Sequence, residues 1–249
     1  VRYTLVYDFA GGTAATGSNV YPTQTTYDVT VNMPYPSKSG YNFSGWSIGH
    51  HVSDQLYRFD LEKDMHSSYI NLTDVDDDTL YVFANWTPYS YTVYYINNAG
   101  AYAEKVVSYD EIFSVTEPIR ENYTFAGWYI TSYSDSNHTN KNSTITLSYG
   151  MTSSGLTTKT SSAPIEVLAG NIYFKNVCQD DNGSVVMEAH WVGLEYTVEI
   201  YEGTGSNPDA MTRSIAANFN VPFKVEQPTR TGYVFSGWTI SNMNSGLMH

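Results

Sequence analysis

The stretch Pro36-Ser37-Lys38-Ser39-Gly40-Tyr41-Asn42-Phe43-Ser44-Gly45-Trp46 decides the reading of this chain, because it returns twice. The second copy is Pro118-Ile119-Arg120-Glu121-Asn122-Tyr123-Thr124-Phe125-Ala126-Gly127-Trp128, and the third is Pro228-Thr229-Arg230-Thr231-Gly232-Tyr233-Val234-Phe235-Ser236-Gly237-Trp238. The shared template is P-x4-Y-x-F-x-G-W. Matches at three places mark an internal repeat, which sets the organisation before any single residue is weighed.

Two further phrases flank the template. An opening Tyr-Thr-apolar run stands at Tyr3-Thr4-Leu5, Tyr91-Thr92-Val93 and Tyr196-Thr197-Val198. A closing Ala-x-Trp stands at Ala84-Asn85-Trp86 and Ala189-His190-Trp191. Five positions separate Trp86 from Tyr91 and Trp191 from Tyr196, so the joints are short. The expected modules are 1–88, 89–193 and an incomplete third, 194–249. The second is longer, with 63 positions from Trp128 to Trp191 against 40 from Trp46 to Trp86. The excess is a Ser/Thr/Asn-rich insert near 131–162, which reads as an elaborated loop or an extra hairpin.

The opening and closing runs alternate with period two: Tyr3, Leu5 and Tyr7 share a face, as do Leu80, Val82, Ala84 and Trp86. That is the signature of half-buried strands. The template itself breaks phase. Tyr41 and Phe43 have one parity, Trp46 and Ile48 the other, and Tyr123/Phe125 against Trp128 and Tyr233/Phe235 against Trp238 repeat the break. A β-bulge at Gly45, Gly127 and Gly237 would return both pairs to one face, because it adds one residue and glycine tolerates the dihedral. The template aromatics therefore read as core and not as an exposed platform.

Composition agrees. Tyr occurs 23 times among 249 residues and charged residues make up 15%, below the roughly 25% of an ordinary domain. The aromatic bias favours strands. A net charge of −13 disfavours binding to phosphate backbones, so no nucleic-acid partner is expected. No run reaches the ~18 apolar residues of a membrane span, so no direct membrane insertion is expected. Val1-Arg2 leads straight into a strand-like run, and the sequence reads as an internal piece of a longer protein.

These phrases resemble the Listeria–Bacteroides repeat, the B-repeat of internalins. Its pattern has an opening strand, a Gly-Gly turn, a P-x-x-x-G-Y-x-F-x-G-W phrase and a closing L-x-A-x-W. The first module carries all of it, including Gly11-Gly12; the second has Asn97-Asn98-Ala99-Gly100 at the turn; the third stops before the closing strand. The resemblance implies β-grasp-like modules, mainly β with one short helix. It also implies secreted or wall-attached surface proteins at the extracellular face, with roles in spacing and adhesion and no catalytic residues to transfer.

Candidate sites are few. Asp74, Asp76, Asp77 and Asp78 form an acidic run in which alternate carboxylates (Asp74, Asp76, Asp78) could hold Ca²⁺, the one cofactor with any sequence support; a solvated turn is the favoured reading. Asp180-Asp181-Asn182-Gly183 reads as a hairpin turn. His50, His51 and His66 match no zinc spacing. Cys178 beside Gln179 reads as a buried thiol and not as a thioester, which needs the two residues far apart. Lys105 and Lys175 stand near strands, as isopeptide lysines would, with nothing to single them out. Tyr129, Tyr133 and Tyr149 are the candidate sugar-stacking rings. No G-x-S-x-G, H-E-x-x-H or phosphate loop is present.

The expected function is a non-catalytic adhesin or spacer stalk that meets a host or neighbouring-cell surface protein or glycan. The alternatives are a carbohydrate-binding module, and strand-exchange assembly, with self-association through the open edge of module 3.

Overall fold

The computed structural model describes residues 1–16, 21–52, 55–61, 68–96, 102–204, 207 and 210–240. The Asn97-to-Gly100 turn and His66 lie outside them. Module 1 contributes β1 (Arg2–Asp8), β2 (Gln24–Thr26), β3 (Val31–Asn32), β4 (Tyr41–Val52), β5 (Gln55–Asp60), β6 (Ser68–Tyr69) and β7 (Asp78–Pro88). Module 2 contributes β8 (Ser90–Ile96), β9 (Tyr102–Ser108), β10 (Ile112–Ser114), β11 (Tyr123–Tyr133), β12 (Thr144–Gly150), β13 (Thr157–Ser162), β14 (Ile165–Leu168), β15 (Tyr173–Lys175) and β16 (Ser184–Gly193). Module 3 contributes β17 (Glu195–Ile200) and β18 (Arg213–Asn218). The fold is mainly β with tandem repeats. The short helix implied by the resemblance does not occur among the described residues, where aromatic and β-branched side chains alternate at period two instead.

The same sheet is built twice. Module 1 has the order β2-β1-β7-β4-β5, and module 2 has the corresponding β9-β8-β16-β11-β14. In each, the opening and closing strands pair parallel at the sheet centre, Leu5 beside Leu80 and Val93 beside Val185. The two centres carry the first core, around Tyr3, Leu5, Trp46, Leu80 and Val82, and the second, around Tyr91, Val93, Trp128, Ile130, Val185 and Met187.

The insert of module 2 is more than a loop. β12 and β13 form the extra hairpin, which joins a second sheet of order β10-β15-β12-β13. Ile145 and Leu147 turn inward with Phe113 and Phe174 to close the module 2 core. The alternate positions turn outward, where Thr146 meets Thr160 at 2.8 Å and Ser148 meets Thr158 at 2.7 Å. A strand of alternating Ile/Leu and Thr/Ser suits one dry face and one wet face.

The bulge stands where the phase break requires it. Phe43 pairs with Trp86 and Gly45 with Asn85, leaving Ser44 extra. Gly45, Gly127 and Gly237 have φ of 121°, 146° and 138°, a region that L side chains rarely adopt. The result is one repeated ring contact, edge to face, at 5.1 Å for Phe43–Trp46, 5.0 Å for Phe125–Trp128 and 5.2 Å for Phe235–Trp238. Trp46 and Trp128 are fully buried. The expectation is corrected for the tyrosines and for module 3: Tyr41 and Tyr123 stay half-buried outside the cores, and Tyr233 and Trp238 are exposed.

Two compact units are distinguished, residues 1–118 with 125–190, and residues 119–124 with 191–249. In the second, β17 and β18 pair antiparallel with Val198 opposite Ile215. Residues 219–240 form no strand, and Trp238 is 38% exposed. Its Phe–Trp contact persists without a partner strand, so the bulge geometry is local.

Candidate functional site

The most specific arrangement in the molecule is the joint between consecutive modules. β7 runs to Pro88 and β8 begins at Ser90, which leaves one connector residue, Tyr89. Its N–H donates to the Gly40 carbonyl at 2.8 Å, and its carbonyl accepts from the Tyr109 N–H at 2.8 Å. The next joint repeats this. Leu194 lies alone between β16 and β17, donates to the Asn122 carbonyl at 2.9 Å and accepts from the Phe219 N–H at 2.9 Å. One residue thus ties the turn before the template tyrosine of one module to the turn that follows the second strand of the next.

Side chains complete each joint. The Tyr109 ring meets Tyr41 edge to face at 5.6 Å, and the Phe219 ring meets Tyr123 likewise at 5.3 Å. Each template tyrosine also carries a cation over its ring: Lys38 Nζ is 4.2 Å from the Tyr41 centroid, and the Arg120 guanidinium is 4.1 Å from that of Tyr123. The turn that presents the tyrosine needs positive φ before it, 80° at Gly40 and 63° at Asn122. A Cβ on Gly40 would overlap the Tyr109 ring.

The first joint is also polar. Tyr41 donates its hydroxyl to Asp110 at 2.5 Å, and Lys175 Nζ lies 2.9 Å from the same carboxylate. Partial burial opposes the Asp110 charge, yet the bonds from Tyr41, Lys175 and Asn176 hold its carboxyl down at about 2. The bond to Asp110 pushes the Tyr41 hydroxyl up to about 12. Asp181 Oδ1 accepts from the Ser90 N–H at 3.0 Å, and its Oδ2 accepts from Asn42 Nδ2 at 2.8 Å.

The acidic residues singled out in the sequence now have places. Asp180 to Gly183 is a turn but not a hairpin, since β15 and β16 belong to different sheets. Asp76 holds the equivalent position in module 1, where Oδ1 accepts from the Arg2 N–H at 2.8 Å. That backbone bond, the largest influence on it, lowers its pKa. Asp78 begins β7 and accepts from Thr73 Oγ1 at 2.9 Å. Among the described residues, no three His, Cys, Asp or Glu side chains gather as a metal site would require, so Asp74, Asp76 and Asp78 are not brought together.

The other candidates are likewise dispersed. His50 lies 3.9 Å from Asp78, and His51 packs on Tyr81. Cys178 is buried and Gln179 bonds the Thr146 carbonyl at 3.0 Å. Lys105 sits over the Phe113 ring. Tyr129 stacks on His190 at 4.8 Å, Tyr133 packs on His138 at 5.2 Å, and Tyr149 packs against the module 2 core. All three rings are half-buried. Trp86, expected as core, is half-buried and donates its indole N–H to the Phe9 carbonyl at 2.9 Å; Trp191 is half-buried near the end of β16.

Sequence reasoning missed the joint residues Tyr109 and Phe219. The basic residue three places before each template tyrosine was visible in the repeat and is a position it should have included.

The family model of the Listeria-Bacteroides repeat domain matches residues 3–73, 91–157 and 196–246. No curated protein and no solved structure matches the chain significantly.

Proposed function

Since this chain belongs to the Listeria-Bacteroides repeat domain family, a repeat module of bacterial surface proteins, we propose that it is a non-catalytic, extracellular spacer or adhesin segment. The observation that carries the reading is the single-residue joint. At Tyr89 a connector of one residue, hydrogen-bonded on both sides and flanked by interlocked aromatic rings, leaves little freedom between modules 1 and 2. Such a joint suits a segment whose task is to hold one part of a protein at a set distance from another. A flexible tether would need a Gly/Ser-rich linker, and Tyr89 and Leu194 stand in its place.

The partner class in this reading is a surface protein or glycan of a host or neighbouring cell, met outside the cores. A glycan platform at Tyr129, Tyr133 and Tyr149 gains little support from their half-buried packing.

Small-angle scattering of the whole chain tests the spacer reading. A globule of this length has a radius of gyration of about 18 Å. The spacer reading expects a clearly larger value that is independent of flexible-chain modelling; a value near the globular one would count against it.

A further inference from the structure

We propose that each complete module is a mechanical clamp, built to stay folded when the chain is pulled along its length. The proposal rests on the spacer or adhesin reading, in which a segment between two attachment points carries the tension between them.

In module 2 the chain enters through β8 and leaves through β16, and these two strands are neighbours that run parallel. Tyr89 delivers the chain to the first residue of β8, and Leu194 receives it from the last residue of β16. Because the strands are parallel, entry and exit lie at opposite ends of the pair. Tension on the chain therefore draws β8 and β16 past each other along their length. In that direction every bond of the ladder is strained at once, and all must break in one event. Antiparallel entry and exit strands would have both points at one end and would open bond by bond.

The pair is placed to resist sliding. β9 flanks β8 and β11 flanks β16, so neither strand lies at an edge. The ladder runs from Thr92 beside Ser184 to Tyr95 beside Met187, and Tyr91, Val93, Val185 and Met187 are buried on its core face. That burial keeps water, the competing partner, from one side of the bonds. Hydrogen bonds also continue past the ladder to the point where tension arrives. The Thr92 N–H donates to the Gly183 carbonyl at 3.1 Å, the Asn182 N–H to the Ser90 carbonyl at 2.8 Å, and the Ser90 N–H to Asp181 Oδ1 at 3.0 Å. Ser90, the first residue of β8, is thus held at both of its backbone groups.

Module 1 repeats the device. β1 and β7 run parallel from Tyr3 beside Asp78 to Asp8 beside Phe83, flanked by β2 and β4. The Asp77 N–H donates to the Arg2 carbonyl at 2.7 Å, and the Arg2 N–H donates to Asp76 Oδ1 at 2.8 Å. Asp77 and Asn182 have φ of 57° and 58°, so the same turn presents the preceding carboxylate in each module. The approach to the closing strand thus brings an acceptor to the start of the opening strand.

Single-molecule force spectroscopy on the whole chain, held at its two ends, tests this. Unfolding of residues 2–88 frees up to about 300 Å of extended chain, and of residues 90–193 up to about 360 Å, which identifies each event. The comparison is a second pull on the same fold, between Thr87→Cys and Asn182→Cys in a Cys178→Ala background. Both handle sites are exposed, and they strain β8 and β16 from one end, so the ladder opens bond by bond. Forced unfolding is governed by the unfolding barrier, which depends on the direction of pull, whereas equilibrium stability does not. At equal loading rate, module 2 is expected to need a clearly higher force in the end-to-end pull than in the one-end pull. Asp181→Ala, which removes the acceptor of the Ser90 N–H, is expected to lower the end-to-end force, and Asp181→Asn, which keeps an oxygen there, to retain most of it. Circular dichroism reports that each variant folds. An end-to-end force equal to or below the one-end force overturns the proposal. The scattering measurement involves no tension, so a globular radius of gyration overturns the spacer reading whatever the rupture forces are.

Discussion

Tyr41 and Asp110, 69 positions apart in sequence, share a 2.5 Å hydrogen bond that closes the joint between the first two modules. The phenol donates and the carboxylate accepts, and each changes the other's titration. Both consequences can be measured.

The Asp110 carboxyl is held below its ordinary 3.8, at about 2, so folding favours its ionised form. Its stabilisation is complete above the ordinary value and disappears as pH falls from about 4 to about 2. The Tyr41 hydroxyl is raised from 10 to about 12, so folding favours its protonated form. That stabilisation is complete below pH 10 and disappears as pH climbs towards 12. Thermal unfolding followed from pH 2 to 12 is expected to show an acid arm and an alkaline arm. Tyr41→Phe should shrink the acid arm and remove this tyrosine's share of the alkaline arm; unchanged profiles would refute the coupling.

Gly45 and Gly127 occupy the same template position but should not tolerate alanine equally. Both have positive φ, a strain of about 1–3 kcal/mol for a side chain. At Gly45 an added Cβ meets nothing within 4 Å, so strain is the whole cost. At Gly127 it would strike the Val167 carbonyl on β14, a backbone atom that cannot step aside. Gly127→Ala is expected to destabilise its module by clearly more than Gly45→Ala does, in chemical denaturation of each variant.

Trp46, Trp128 and Trp238 share a sequence context and differ in burial, at 1%, 0% and 38% exposed. Replacing either of the first two by alanine leaves a large cavity and should cost about 3–5 kcal/mol. Trp238→Ala should cost well under half of that, because its ring is already partly exposed to solvent. Denaturation midpoints of the three variants check the order.

Cys178 is fully buried, and burial pushes its thiol up to about 11. Thiolate is the reactive form, so the native protein should label very slowly with a thiol reagent at pH 8 and fully once unfolded. Rapid native labelling would show that the module 2 core opens readily.

The bulge was legible in the sequence because it follows from parity. A strand cannot bury Phe43 and Trp46 together without an extra residue, and Gly45 supplies the only side-chain-free position between them. The joint was not legible, because its aromatic partners are not at constant spacing. Tyr109 lies 18 positions after Tyr91 and Phe219 lies 23 after Tyr196. The variable length of the first connection hides the equivalence until the backbone places the two turns alike. The Asp76 and Asp181 carboxylates were similarly ambiguous. A run of aspartates suits a cation or a turn, and the sequence does not show that Asp76 and Asp181 accept from the N–H groups of Arg2 and Ser90.

What the sequence by itself determined is the part governed by local sterics and periodicity: strands, the bulge glycine and the count of repeats. What only the tertiary structure decided is the part that depends on residues brought together from afar: the second sheet built from the insert, the carboxylates that hold strand ends, and the joint that locks Tyr41 to Tyr109 and Asp110. Side-chain alternation is written along one strand and can be read there. A contact between two turns is set by the lengths of the connections on both sides, and no single stretch of sequence contains it.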